Sequence, residues 1–277
     1  MPRFRTTDGL GLHYEDSGTG RPVICLAGLT RNSADFEFMR PQFPGNRLIR
    51  LDYRGRGQSD HDPDFANYNI VREGQDVIEL MDHLGLDRAV IIGTSRGGLV
   101  AMALSLSHGD RLSGVVLNDI GPEVTQEGLA RIMDYVGKEP DLPDLDAAAA
   151  ALKHVHAADF PGVTLDRWRA QAAHMFHEKP GGGLGLRYDA ALHKALSGQA
   201  ATGDAPDLWT LFDHLRSIPL ATIRGANSDL FSKQTLEKMK KRHPGMIVAE
   251  VPKRGHVPFL DEPEALDAIR ALLEDAA

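Results

Sequence analysis

The sequence predicts an α/β protein: a mostly parallel sheet flanked by helices and interrupted by a helical insertion. Short apolar runs alternate with segments of helical spacing through the first part of the chain, the pattern of a parallel sheet covered on both faces. One of the junctions between such a run and a helix is the glycine-flanked turn Gly93-Thr94-Ser95-Arg96-Gly97. Beyond Gly121-Pro122 the strand-like runs stop, and they resume only near Leu220.

Taken in order, apolar runs at 10–14, 23–27, 48–51, 89–92 and 115–117 read as strands. The polar, glycine-containing stretch Asp16-Ser17-Gly18-Thr19-Gly20 reads as a turn between the first two. Segments 70–84 and 98–107 carry apolar residues at helical spacing, and Asn69 is placed to cap the first. From 123 to 206 the chain is alanine-rich and amphipathic, with helical stretches at 145–156 and 165–177, breaks such as Gly181-Gly182-Gly183, and no convincing strand. Strands return at 220–224 and 247–251 with helices at 233–242 and 263–274, and 207–212 reads as a packing helix. The expected organisation is therefore a core domain of residues 1–122 and 207–277 with a helical cap at 123–206, lying over the strand ends where open α/β sheets bind ligands.

Composition bounds the function classes. With 42% hydrophobic and 25% charged residues the 277-residue chain has material for a large core. A formal charge of -8 leaves no basic footprint for nucleic acid or an acidic membrane surface. No apolar stretch has the length of a signal peptide or a membrane span, so a cytoplasmic location is expected. The single cysteine, Cys25, lies in the apolar run Val23-Ile24-Cys25-Leu26 and reads as a small buried residue. His174 and His177 have the spacing that can bring two ligands to one helix face, but no third ligand accompanies them, and neither metal nor cofactor is expected.

The turn at Ser95 is a nucleophile elbow. A sharp strand-to-helix turn holds its central residue in a strained conformation and lifts the hydroxyl clear of the sheet, while glycines on either side leave room for the crossing backbones. A serine needs a base within hydrogen-bond reach and an acid behind that base. Loops at the strand ends open on one side, so the partners should follow later strands. His256, in Gly255-His256-Val257-Pro258 after the last strand, is the expected base. Asp229, in the polar loop after strand 220–224, is the expected acid, and Asp119, after the strand that follows the elbow helix, is its rival. The backbone N–H groups of Arg96 and Leu29 are the expected donors to an oxyanion, Leu29 because its loop, Ala27-Gly28-Leu29, follows an early strand. The Arg96 side chain reads as a structural contact, with a clamp on a substrate carboxylate as its alternative. Trp168, Met175 and Phe176 are candidates either for an acyl pocket or for helix core.

These residues together resemble the α/β-hydrolase superfamily over nearly the whole chain. Asp52-Tyr53-Arg54-Gly55-Arg56-Gly57-Gln58-Ser59 is similar to the superfamily's D-x-R-G-x-G-x-S segment, read here as a structural turn, and the segment from Gly255 to Pro263 is similar to the one carrying its histidine. One departure is Ala27-Gly28 where the superfamily has His-Gly, which keeps the backbone donor but loses a histidine that could order the loop. The resemblance implies a serine hydrolase acting on a small-molecule ester, lactone or related carbonyl substrate. A carbon-carbon bond hydrolase of ring-cleavage products and a slow-turnover small-molecule receptor are the alternatives it leaves open.

Overall fold

The computed structural model describes residues 2–202 and 207–276. In chain order its elements begin with strands β1 (Arg3–Arg5), β2 (Gly11–Ser17), β3 (Arg21–Leu26) and β4 (Asn46–Leu51). Helix α1 (Ile70–His83), strand β5 (Ala89–Thr94), helix α2 (Arg96–His108) and strand β6 (Leu112–Asn118) follow. The connection from β6 back to the sheet carries α3 (Gln126–Tyr135), α4 (Leu145–Val155), α5 (Leu165–Met175), the short strands β7 (Phe176–Glu178) and β8 (Leu184–Leu186), α6 (Leu192–Thr202) and α7 (Leu208–Asp213). Strand β9 (Leu220–Gly225), helix α8 (Lys233–Arg242), strand β10 (Ile247–Val251) and helix α9 (Pro263–Asp275) complete the chain.

Eight strands form one sheet in the order β1-β2-β4-β3-β5-β6-β9-β10. The pairs β1/β2 and β2/β4 are antiparallel, and every pair from β4 to β10 is parallel. Alternation of side chains along each strand feeds two cores. Ile24, Leu26, Ile91, Val115 and Leu117 pack with Val77, Leu80, Met102 and Phe212 from α1, α2 and α7. Their neighbours Val23, Cys25, Val90, Ile92 and Val116 pack on the other face with Leu266, Ile269 and Leu272 of α9. Cys25 is fully buried, and loss of hydration pushes its thiol up to about 12.

Local chemistry accounts for the helix starts. Asn69 accepts from the N–H groups of Val71 and Arg72, as the sequence predicts, and Thr125, Asp144, Thr164, Asp207 and Ser232 cap α3, α4, α5, α7 and α8 in the same way. Leu211 and Phe212 of α7 are buried in the sheet core, the packing role expected of that segment.

Two sequence expectations are corrected here. The connection between β6 and β9 is not purely helical, because Phe176, His177 and Glu178 pair antiparallel with Leu186, Gly185 and Leu184. His177 therefore sits in β7 beyond the end of α5, so His174 and His177 do not share a helix face. The end drawn for the insertion, Pro206, lies outside the described residues.

Candidate active site

The C-terminal ends of β3, β5, β6, β9 and β10 open on one side, and the predicted site residues lie in the loops that leave them. Ser95 is the hinge between β5 and α2, with φ +49° and ψ -112°, a region a non-glycine residue occupies only when its surroundings enforce it. The enforcement is visible. A side chain at Gly93 would begin 2.5 Å from the carbonyl carbon of Gly97, and one at Gly97 would run into the carbonyl oxygen of Leu26 in β3. The turn closes this tightly because both flanking positions lack a Cβ.

Ser95 Oγ lies 3.0 Å from His256 Nε2, and His256 Nδ1 lies 2.7 Å from Asp119 Oδ2. Asp119 is fully buried and adopts a left-handed backbone conformation at φ +54° immediately after β6. Its Oδ1 accepts from the Gly225 N–H at 2.7 Å, and its Oδ2 also accepts from the Ser228 hydroxyl at 2.6 Å. Three donors around one buried carboxylate offset the cost of taking its charge out of water.

The structure thus corrects the choice between the two carboxylates: Asp119, the rival, stands on the imidazole, and Asp229, the expected acid, does not. Asp229 lines the same cavity, but its carboxylate pairs with Arg131 of α3, and its carbonyl oxygen accepts from Thr125 Oγ1 at 2.5 Å. The loop after β9 turns so that Ser228, one residue earlier, faces Asp119. Asp229 is left facing a cation supplied by the connection between β6 and β9.

Arg96 has its backbone at the elbow and its side chain turned into the protein. Its N–H opens α2 beside Ser95, while its guanidinium is buried, donating to Glu73 Oε2 at 2.6 Å and to the Tyr68 carbonyl at 3.0 Å. The side chain is a structural ion pair. Leu29 lines the cavity, and Gly28 lies so near the elbow that a Cβ there would stand 3.9 Å from that of Ser95. Arg56 ties this loop to the turn after β4, its Nε donating to the Leu29 carbonyl at 3.0 Å. In the sequence Arg56 belongs to a structural turn, and no local signal marks its reach to the Leu29 loop. The turn itself is built around Asp52, which accepts from the N–H groups of Ser33 at 2.7 Å and Gln58 at 2.9 Å.

Above Ser95 is a cavity of about 600 Å³. Its walls are largely apolar, and Trp168, Met175 and Phe176 are among them, together with Ile132, Leu152 and Phe160. Charged groups on its wall pair with one another: Arg31 donates to Asp35 at 2.8 Å, and Arg131 pairs with Asp229. His156 stacks on Trp168 at 5.4 Å, and burial pulls its imidazole below the ordinary histidine range. The same holds for His174, which packs against Phe38.

Comparison with known proteins agrees with this fold. The sequence model of the alpha/beta hydrolase family matches residues 23–269. The chain is 30% identical to a 3-hydroxybutyrate-oligomer hydrolase of Cupriavidus necator over 267 residues, 91% of this chain and 90% of that one. A crystal structure of an alpha/beta hydrolase from Novosphingobium aromaticivorans superposes with a TM-score of 0.91 at 38% identity, covering 99% of this chain and 97% of the other. That of E-2-(acetamidomethylene)succinate hydrolase, at 24% identity, shares the fold with a TM-score of 0.83 over 99% and 98% of the two chains. From the strained serine turn, the sheet order and a match spanning most of its length, the chain belongs to the alpha/beta hydrolase family.

Proposed function

We propose that the protein is a serine hydrolase that cleaves a carboxylic ester or lactone of a small molecule through an acyl-enzyme. The observation that carries this reading is the hydrogen-bonded chain from Ser95 through His256 to Asp119, opening on an apolar cavity. A carbonyl carbon entering the cavity meets Ser95 Oγ, which bonds to it as the hydroxyl proton passes to His256 Nε2. Asp119 stabilises the imidazolium through Nδ1. The carbonyl oxygen, now carrying the charge, is held by the N–H groups of Leu29 and Arg96. His256 returns its proton to the departing alkoxide. Water then attacks the acyl-enzyme with His256 as base, releasing the acid and restoring Ser95.

In this reading the connection between β6 and β9 is the cap. Its Trp168, Met175 and Phe176 form an acyl wall that excludes water from the reacting carbonyl. The apolar walls and the pairing of Arg31 with Asp35 suit an uncharged acyl group beside the nucleophile. The relative named for hydroxybutyrate oligomers is consistent with an ester bond as the target.

The test is turnover of p-nitrophenyl butyrate by the wild type and by Ser95→Ala, with circular dichroism to check that the variant is folded. Loss of turnover in a folded variant, together with labelling of the wild type at Ser95 by a fluorophosphonate, is the expected result. Multiple turnover surviving Ser95→Ala would sink the proposal. A wild type that binds small carbonyl compounds tightly and turns none over would point to a receptor on the same fold.

A further inference from the structure

The loop after β9 contributes no carboxylate to His256, yet the last residue of β9 and this loop reach the acid at one point each. Gly225 N–H donates to Asp119 Oδ1 at 2.7 Å and Ser228 Oγ donates to Asp119 Oδ2 at 2.6 Å, the same oxygen that faces His256 Nδ1. The hydroxyl is itself oriented. Phe231 N–H donates to Ser228 Oγ at 3.1 Å, which occupies a lone pair and leaves the hydroxyl proton for the carboxylate. The loop is in turn tied to the end of β10 and to the loop that carries His256, through Ala226 N–H to the Val251 carbonyl at 2.8 Å and Asn227 N–H to the Arg254 carbonyl at 2.8 Å.

We propose that Ser228 is a positioning residue for the reaction: it fixes the plane of the Asp119 carboxylate so that Oδ2 meets the imidazole while Ser95 is attacked. The inference rests on the functional reading above. A carboxylate held by Gly225 at Oδ1 alone can turn as a plane about the Cβ–Cγ bond by bending that one hydrogen bond, carrying Oδ2 away from the imidazole. Ser228 removes that freedom and shares Oδ2 with His256. Because it touches neither substrate nor Ser95, its effect passes through Asp119 and reaches the chemical step without altering the cavity that binds substrate.

The experiment measures kcat and KM for p-nitrophenyl butyrate in Ser228→Ala and Ser228→Thr, and measures Ser228→Ala again in an Asp119→Ala background. Loss of one charge-assisted hydrogen bond should lower kcat about 10- to 100-fold in Ser228→Ala, with KM within about twofold. Ser228→Thr, which keeps the hydroxyl, should recover most of the loss. In the Asp119→Ala background the same substitution should cost less than about twofold, because the group it acts through is gone. An equal loss in both backgrounds, or a kcat within about twofold of wild type in Ser228→Ala, would overturn the inference. If Ser228→Ala proves too unstable to assay, Ser228→Cys keeps the size with a weaker donor, and a kcat no lower than that of Ser228→Thr would count against it. A wild type without esterase turnover would sink the proposed function itself, whereas normal turnover in wild type and Ser228→Ala alike sinks only the role of Ser228.

Discussion

The imidazole of His256 and the carboxylate of Asp119 meet at 2.7 Å, joining the loop after β10 to the end of β6 across β9. Asp229 stands on the same cavity with its charge balanced by Arg131. The two carboxylates should therefore separate cleanly under the same isosteric change. Asp119→Asn is expected to lower kcat by about 10²- to 10⁴-fold, since an amide neither balances the imidazolium nor enforces the right tautomer. Asp229→Asn should leave kcat within about threefold of wild type and act on stability, through an Arg131 left with Asp159 at 3.3 Å. Steady-state kinetics on the two variants decides it, and a larger loss for Asp229→Asn would return the acid to the loop after β9.

That choice marks the boundary of what the sequence made legible. Ser95 and His256 were readable because their signals are local: a glycine on each side of a turn, and a Gly-His-x-Pro loop after the last strand. Asp119 and Asp229 both follow strands that end on the same side, so local pattern does not separate them. What separates them is the left-handed turn at Asp119, the hydroxyl of Ser228, and an arginine far along the chain at Arg131. The seven strands read from apolar runs all form, because alternation supplies both faces of one sheet. Among the described residues the strands without a sequence signal, β1, β7 and β8, have three residues each, too few for a period to show. Arg56 was read only as part of a turn, since its bond to the Leu29 carbonyl exists only once β3 and β4 lie side by side.

The elbow should be intolerant of a single methyl group. A Cβ at Gly97 would overlap the Leu26 carbonyl, which belongs to a central strand and cannot withdraw without breaking the β3/β5 ladder. Gly97→Ala is expected to cost about 3 kcal/mol or more of folding stability and to displace Ser95 from His256. Urea unfolding with an esterase assay reads both, and a variant within about 0.5 kcal/mol of wild type would show that the crossing has slack.

Arg96 offers a test of structural against substrate-binding roles for a cation beside the nucleophile. Glu73 is fully buried between Arg96 at 2.6 Å and Arg56 at 2.8 Å. Glu73→Gln keeps the shape and removes the charge, leaving two buried guanidinium groups without their counterion. A destabilisation of about 3–5 kcal/mol is expected, with reduced activity following from the loosened Leu29 loop that Arg56 supports. Were Arg96 instead a clamp for substrate carboxylates, Arg96→Met would raise KM for acidic esters alone and leave the unfolding midpoint in place. The buried pairing predicts the reverse, a lowered midpoint and no preference for acidic esters to lose.

His156 and His174 both have an Nδ1 that is buried without a hydrogen-bond partner, and burial depresses both imidazoles below their ordinary value. Asp159 opposes the shift at His156 and Arg131 and Arg31 add to it; at His174, Asp35 and Glu37 oppose it while Arg31 and Arg187 add to it. In the unfolded chain each ring takes up a proton near the ordinary histidine pKa of about 6.5, whereas in the folded chain it resists doing so. The unfolded state therefore binds more protons as pH falls through that value, and stability must fall with it. Above it both rings are neutral in both states and the contribution is flat. The melting temperature of the wild type should drop between about pH 7.5 and about pH 5 by more than that of His156→Phe/His174→Phe, which keeps the aromatic contacts with Trp168 and Phe38 without a titrating group. Identical slopes in the two proteins would assign the acid sensitivity to other groups.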